Sequence, residues 1–209
     1  MRALLFDFNG TVSDDEHVQC AIFRELFAGY RPLSEKEYFA ELAGLSDPEI
    51  VDHWLGGDHP AAADVLEGRT RLFLERVGDG STVSSEVRNA VRRAEGRARL
   101  AVVSGAARSE VETVLRAAGI DVFEVVVAAE DVKRGKPDPE GYLRALELLG
   151  LAGAAAAAIE DTPPGVAAAK AAGLHCAAVL GTVSLDRLDE ADEIVPRLDD
   201  VLVDRLLAL

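Results

Sequence analysis

An apolar run, Ala3-Leu4-Leu5-Phe6, ends abruptly in the carboxylate of Asp7 and is followed at once by Phe8, Asn9, Gly10 and Thr11. A run this short, uniformly apolar and without alternation fits a strand buried on both faces, as in a parallel sheet. A polar residue at its end then stands at the carboxyl edge of the sheet, where open α/β folds bind ligands. A carboxylate in that position can act as a nucleophile, a metal ligand or both. Asn9-Gly10 alone would fit a hairpin turn. The polar, acidic stretch Ser13-Asp14-Asp15-Glu16 does not alternate as a returning strand would. It reads instead as the start of a helix, with Ser13 or Asp14 as the cap.

Behind this strand, helical patterns run from about residue 14 to 29 and from Ser34, where Ser34-Glu35-Lys36-Glu37 has the form of a capping box. They resume around Ile50-Val51-Trp54-Leu55 and from Val65 to Leu74, separated by Gly44-Leu45-Ser46-Asp47-Pro48 and Gly56-Gly57-Asp58-His59-Pro60. No segment between 14 and 82 reads as a strand. From Val83 helices alternate with apolar runs: Leu100 to Val103, the valine-rich stretch Val122 to Ala129, and His175 to Val179. The run Ala154 to Ile159 favours helix by propensity. Its place between Gly153 and Glu160-Asp161 makes a buried strand the coherent reading. The expected fold class is therefore α/β, a Rossmann-like core with a parallel sheet and an inserted all-helical domain. The core takes residues 1–13 and 83–209, and the helical insertion residues 14–82.

Composition narrows the partners. With 209 residues, 49% of them hydrophobic, the chain can bury a substantial core. A formal net charge of −15 argues against nucleic acid and against an anionic membrane surface. It leaves open a small phosphorylated substrate held by a few well-placed cations. Cys20 and Cys176 lie among apolar neighbours and read as buried free thiols, and the four histidines show no ligand spacing. Neither a signal peptide nor a transmembrane segment is apparent, so a cytoplasmic protein is expected. A monomer and a small homo-oligomer are equally open.

Four polar clusters follow predicted strands or open helices: Asp7 with Asn9, Ser104 with Gly105, Lys136, and Glu160 with Asp161. Each has a plain reading as a turn, a solvated loop or a surface acid pair. In a parallel sheet, however, all four converge on one edge. Three carboxylates in one cleft repel one another and raise at least one pKa unless cations intervene. Mg²⁺ suits such a site, since it takes hard oxygen ligands and bridges to substrate phosphate. Lys136, Ser104, Gly105, Thr11 and the N–H groups of the first loop supply candidate phosphate contacts. Together they favour phosphoryl transfer, in which positioning and charge neutralisation dominate.

The order DFNGT, VVSG, RGKPDPEGY and IEDTPPGVAAAKAAG resembles the four motifs of the haloacid dehalogenase superfamily, and the inserted helices resemble the cap of its β-phosphoglucomutase-like branch. The resemblance implies attack by Asp7 on phosphorus to give an aspartyl-phosphate. It implies Mg²⁺ held by Asp7, the Asn9 backbone carbonyl and Asp161 with Glu160 close by, and phosphate held by Ser104 and Lys136. Gly44 and Ser46 would lie in the family's specificity loop.

Three departures matter. The phosphatases and mutases of the family carry Asp where this chain has Asn9, which keeps the metal-facing carbonyl but cannot exchange the proton of a general acid and base. The mutases carry Arg and His where this chain has Asp47 and Gln19. Lys36, the one lysine of the helical insertion, does not fall where a Schiff-base lysine is placed in the C–P hydrolases of the family. A Mg²⁺-dependent phosphatase of a small phosphorylated metabolite is the leading expectation. A silenced phosphometabolite-binding protein and a hydrolase of a C–P or C–halogen bond are the alternatives. His17, His53 and Trp54 are read as structural in preference to cleft-facing.

Overall fold

The computed structural model describes residues 2–209. Six parallel strands make one sheet: β1 (Ala3–Phe6), β2 (Arg99–Val103), β3 (Val125–Val127), β4 (Ala156–Glu160), β5 (His175–Val179) and β6 (Glu193–Val195). Their order is β3-β2-β1-β4-β5-β6, so the strand sequence reverses direction beside β1, where β4 is its other neighbour. This is the Rossmann-like doubly wound arrangement, and the crevice at such a switch point is its usual binding place.

Alternation along each strand divides the core into two layers. Leu4, Phe6, Val102, Ile159 and Val179 face one side, against helices α5 (Ser85–Ala94), α6 (Arg108–Ala117) and α9 (Asp200–Ala208). Ala3, Leu5, Val103, Ala158 and Cys176 face the other, against α7 (Glu140–Leu149) and α8 (Pro163–Ala171). Leu4, Leu5 and Phe6 are wholly buried, which contributes about 1.5–3 kcal/mol for each side chain. Both cysteines are free and buried.

Between β1 and α5 the described chain is helical: α1 (Glu16–Phe27), α2 (Glu35–Glu37) running into a π-helical turn at Tyr38–Leu42, α3 (Asp47–Leu55) and α4 (Ala62–Val77). Phe23, Phe27, Tyr38, Leu42, Trp54 and Val65 form a core of their own there. The separation from the sheet is incomplete, because Ile22, Leu72, Phe73 and Val77 pack into the layer that carries Leu4 and Phe6. Ser34 caps α2 through the reciprocal box with Glu37 that the spacing predicts.

The expected start of α1 is displaced. Its N-cap is Asp15, with no side-chain capping bond. The Ser13 hydroxyl meets Thr82 Oγ1 at 2.7 Å instead. The alanine run is strand from Ala156, after a short 3-10 turn at Gly153–Ala155. Strand β6 has no counterpart in the sequence reading. Among the described residues no helix is long and apolar enough to cross a membrane.

Candidate active site

Asp7 is the residue that follows β1, Ser104 follows β2, and Glu160 ends β4 with Asp161 next to it. Parallel pairing of these three strands brings the four residues to one edge. Gly10 has φ +82°, which turns the chain back sharply, and a Cβ there would lie 1.9 Å from Asp161 Oδ2. Only glycine allows the first loop to sit this close to Asp161.

Lys136 arrives from the loop before α7 and bridges two acids, its Nζ donating to Asp7 Oδ1 and Glu160 Oε1, each at 2.5 Å. Glu160 is completely buried. It also accepts from the Tyr142 hydroxyl at 2.6 Å. Asp161 accepts from Thr11 Oγ1 at 3.2 Å and from Thr182 Oγ1 at 2.5 Å. Ser104 Oγ accepts from the Ala106 N–H at 3.0 Å and donates to Asn9 Oδ1 at 3.4 Å. The Asn9 amide donates to the two oxygens of Asp15.

Asp7, Glu160 and Asp161 each offer an oxygen, and the three oxygens lie within 4.8 Å of one another. Burial, reinforced by the charges of Asp7 and Glu160, pushes the Asp161 carboxyl well above its usual range. Burial likewise raises Glu160 to about 7 against the pull of Lys136. Burial acts to lower the pKa of Lys136, but the charges of Asp7 and Glu160 outweigh it and keep the ammonium protonated. One lysine among three buried acids leaves negative charge uncompensated. A hard divalent cation fits both this deficit and the all-oxygen donor set.

The pocket at this edge is lined by Asp7, Asn9, Gly105, Lys136 and Asp161 from the sheet side. Glu16, Gln19, Tyr38, Gly44, Ser46, Asp47 and Arg69 line it from the helical side. Gly44 (φ +91°) sets its loop directly on Thr162, where a Cβ would stand 3.1 Å from the threonine side chain. Ser46 caps α3, its hydroxyl 2.6 Å from Glu49.

Of the residues singled out in the sequence, Ser104 lines the adjoining groove together with Gly105 and Lys136, and Thr11 lies off this pocket with its hydroxyl committed to Asp161. His17, His53 and Trp54 do not line this pocket. Trp54 is buried and donates to the Arg31 carbonyl at 2.7 Å, His53 lies 3.4 Å from Glu41, and His17 packs on Phe39. Sequence reasoning missed Asp15, Glu16, Arg69, Tyr142 and Thr182. Glu16 and Asp15 had a local signal, two acids in the first turn of a helix that follows the motif loop. Tyr142 stands at the end of the RGKPDPEGY motif, whereas Arg69 and Thr182 had no local signal.

Comparisons with known proteins give the family of this chain. The family model of haloacid dehalogenase-like hydrolases matches residues 1–173. Protein CbbY of Rhodobacter capsulatus is 33% identical over 190 residues, 84% of this chain and 83% of that protein. Hexitol phosphatase A of Escherichia coli is 30% identical over 205 residues, 97% of this chain and 94% of that protein. The crystal structure of CbbY from Rhodobacter sphaeroides in complex with xylulose-(1,5)bisphosphate is 28% identical, with a TM-score of 0.86 and 95% of each chain covered. This chain belongs to the haloacid dehalogenase-like hydrolases.

Proposed function

We propose that this protein is a Mg²⁺-dependent phosphatase that hydrolyses a small phosphorylated, sugar-like metabolite through an aspartyl-phosphate on Asp7. The observation that carries the reading is the bridge from Lys136 to Asp7 and Glu160, set within a cluster of three buried carboxylates at the sheet edge. Two relatives whose names give phosphorylated compounds, the hexitol phosphatase and the CbbY complex, support the substrate class.

Asp7 accepts from Lys136 through Oδ1 and presents its second oxygen as nucleophile. That oxygen attacks phosphorus as the P–O bond to the leaving group breaks, and the departing oxygen takes its proton from water. Water then opens the aspartyl-phosphate, returning Asp7 and releasing inorganic phosphate. Lys136, the Ser104 hydroxyl and the N–H groups around Gly105 hold the phosphoryl oxygens. Asp7, Asp161 and the Asn9 backbone carbonyl would hold Mg²⁺, with Glu160 beside them. When bound, the ion neutralises the phosphate charge that the carboxylates would otherwise repel. Thr11 and Thr182 orient Asp161, and Tyr142 with Glu160 orients Lys136. The helices of residues 14–82 act as a cap whose Gly44–Ser46 loop closes the pocket. Lys36 is exposed, which leaves the cap without a lysine for C–P chemistry.

The test is phosphate release with and without Mg²⁺ from acetyl phosphate, p-nitrophenyl phosphate and sugar phosphates, with Asp7→Asn beside the unaltered chain. Mg²⁺-dependent release that disappears in Asp7→Asn is expected. Absence of release from every compound, with phosphate compounds still bound, would overturn turnover in favour of a binding protein.

A further inference from the structure

The helical wall of the pocket is held by one buried cation. Arg69 on α4 is only 1% exposed, yet it reaches the pocket that contains Asp7. Its Nη1 donates to Glu110 of α6, itself fully buried, and its Nη2 donates to Gln19 Oε1 at 2.6 Å. Its Nε stands 3.0 Å from Asp47 Oδ2, an ionic contact without hydrogen-bond alignment. The guanidinium therefore meets protein groups at Nε, Nη1 and Nη2, two carboxylates and one amide.

Lys136 and Arg69 are the cations on the pocket wall, and Lys136 bridges Asp7 and Glu160 at the end that takes the transferring phosphate. Around Arg69 stand Asp47, Glu110 and, from α1, Glu16. The two ends of the pocket thus differ in sign. The end at Asp7 becomes neutral or positive once a divalent cation is added, whereas the end at Arg69 carries excess negative charge. An adjoining groove, which shares Ser46, Gly105, Gly135 and Lys136, does bring Lys133 and Arg134. Arg134 there is paired with Asp138 at 2.8 Å, and Glu49 adds a further acid.

A second phosphate on a substrate would need charge-assisted donors at the Arg69 end, and would meet carboxylates in place of them. Hydroxyl groups suit that wall, because they donate to Glu16 and Asp47. Resting on the phosphatase reading, we propose that the substrate is a monophosphate of a hydroxyl-rich skeleton bearing no second anionic group. Asp47 is the specificity-determining residue, because it occupies the one arginine that would otherwise receive a second anion.

The experiment compares hexose monophosphates of glucose and fructose with the bisphosphates of the same sugars, using the full chain with Mg²⁺ at about pH 8, and p-nitrophenyl phosphate as the reference phosphatase substrate. The monophosphates are expected to exceed the bisphosphates in kcat/KM by roughly tenfold or more, and Asp47→Asn to narrow that ratio by roughly tenfold, mainly through KM. General damage to the fold lowers both members of a pair and leaves the ratio in place. Equal or better use of bisphosphates by the unaltered chain overturns the proposal, and a ratio untouched by Asp47→Asn overturns the role of Asp47. Calorimetric binding of the same pairs to the Asp7→Asn protein decides between mono- and bisphosphate without turnover. Loss of release from every compound, p-nitrophenyl phosphate included, therefore defeats the phosphatase reading separately.

Discussion

The side-chain amide of Asn9 donates to both carboxylate oxygens of Asp15, at 3.1 and 3.2 Å. Asp15 is completely buried, and burial raises it to about 7 in spite of its hydrogen bonds to Ser13, Asn9 and Gln19. Asn9 is thus engaged on both sides, with its amide on Asp15 and its carbonyl oxygen toward Ser104. An amide fills this position without adding charge. A second carboxylate would place two acids about 3 Å apart, a spacing at which both cannot ionise together.

Replacement of Asn9 by aspartate is informative for that reason. Asn9→Asp places an exchangeable proton beside Asp7, held between two carboxyl groups. The expected gain in kcat is about 10²- to 10⁴-fold for alkyl phosphates, whose leaving oxygen needs protonation. For p-nitrophenyl phosphate, whose leaving group is stable as an anion, the gain is small. The ratio of the two gains in steady-state assays checks this, and equal gains would mean that proton transfer at position 9 is not what the chain lacks.

Acid stability follows from the same buried groups. Burial raises Asp15 and Glu16 to about 7 and Asp47 to about 6, all above their unfolded values. The folded protein therefore holds protons that the unfolded chain has released, and its stability falls as pH rises from the unfolded values through about 6–7. Without divalent cations, the Tm at about pH 8 should lie roughly 5–10 °C below that at about pH 5.5, measured by calorimetry. A Tm that holds level or rises across that interval would contradict the charge states assigned to the pocket.

The sequence made Asp7, Ser104 and the Glu160-Asp161 pair legible because each ends an apolar run, and a run buried on both faces announces the edge at which it stops. Ala156 to Ala158 resisted propensity, since alanine favours helix in isolation. Here the small side chains fill a strand enclosed between helical layers on both faces. Strand β6 is three residues long at the sheet margin, with Glu193 paired to the edge of β5, too short for any periodic signal. Arg69 and Glu110 lie 41 residues apart on two amphipathic helices, where an arginine and a glutamate read as solvated. Their pairing is a product of how α4 crosses α6, which no local pattern encodes. The start of α1 was misplaced because Ser13 and Asp14 are both good caps by type, while tertiary contacts draw Ser13 to Thr82.

Gly165 offers a test in which helix propensity and packing have opposite signs. It stands in the first turn of α8, where alanine normally stabilises a helix by about 1 kcal/mol relative to glycine. A Cβ at this position, however, would lie 1.9 Å from Glu160 Oε2 and 2.1 Å from its Cδ. Glu160 cannot retreat easily, because it is completely buried and tied to Lys136 and Tyr142. Gly165→Ala should therefore cost about 1–3 kcal/mol in urea unfolding, and phosphate release should drop by at least about tenfold as Lys136 loses its anchor. Gly29→Ala, in the turn after α1 where a Cβ meets nothing within 4 Å, is the control for the clash and should change both quantities little. If Gly165→Ala instead stabilised the protein and kept its activity, Glu160 would be free to move, and its role in orienting Lys136 would fall.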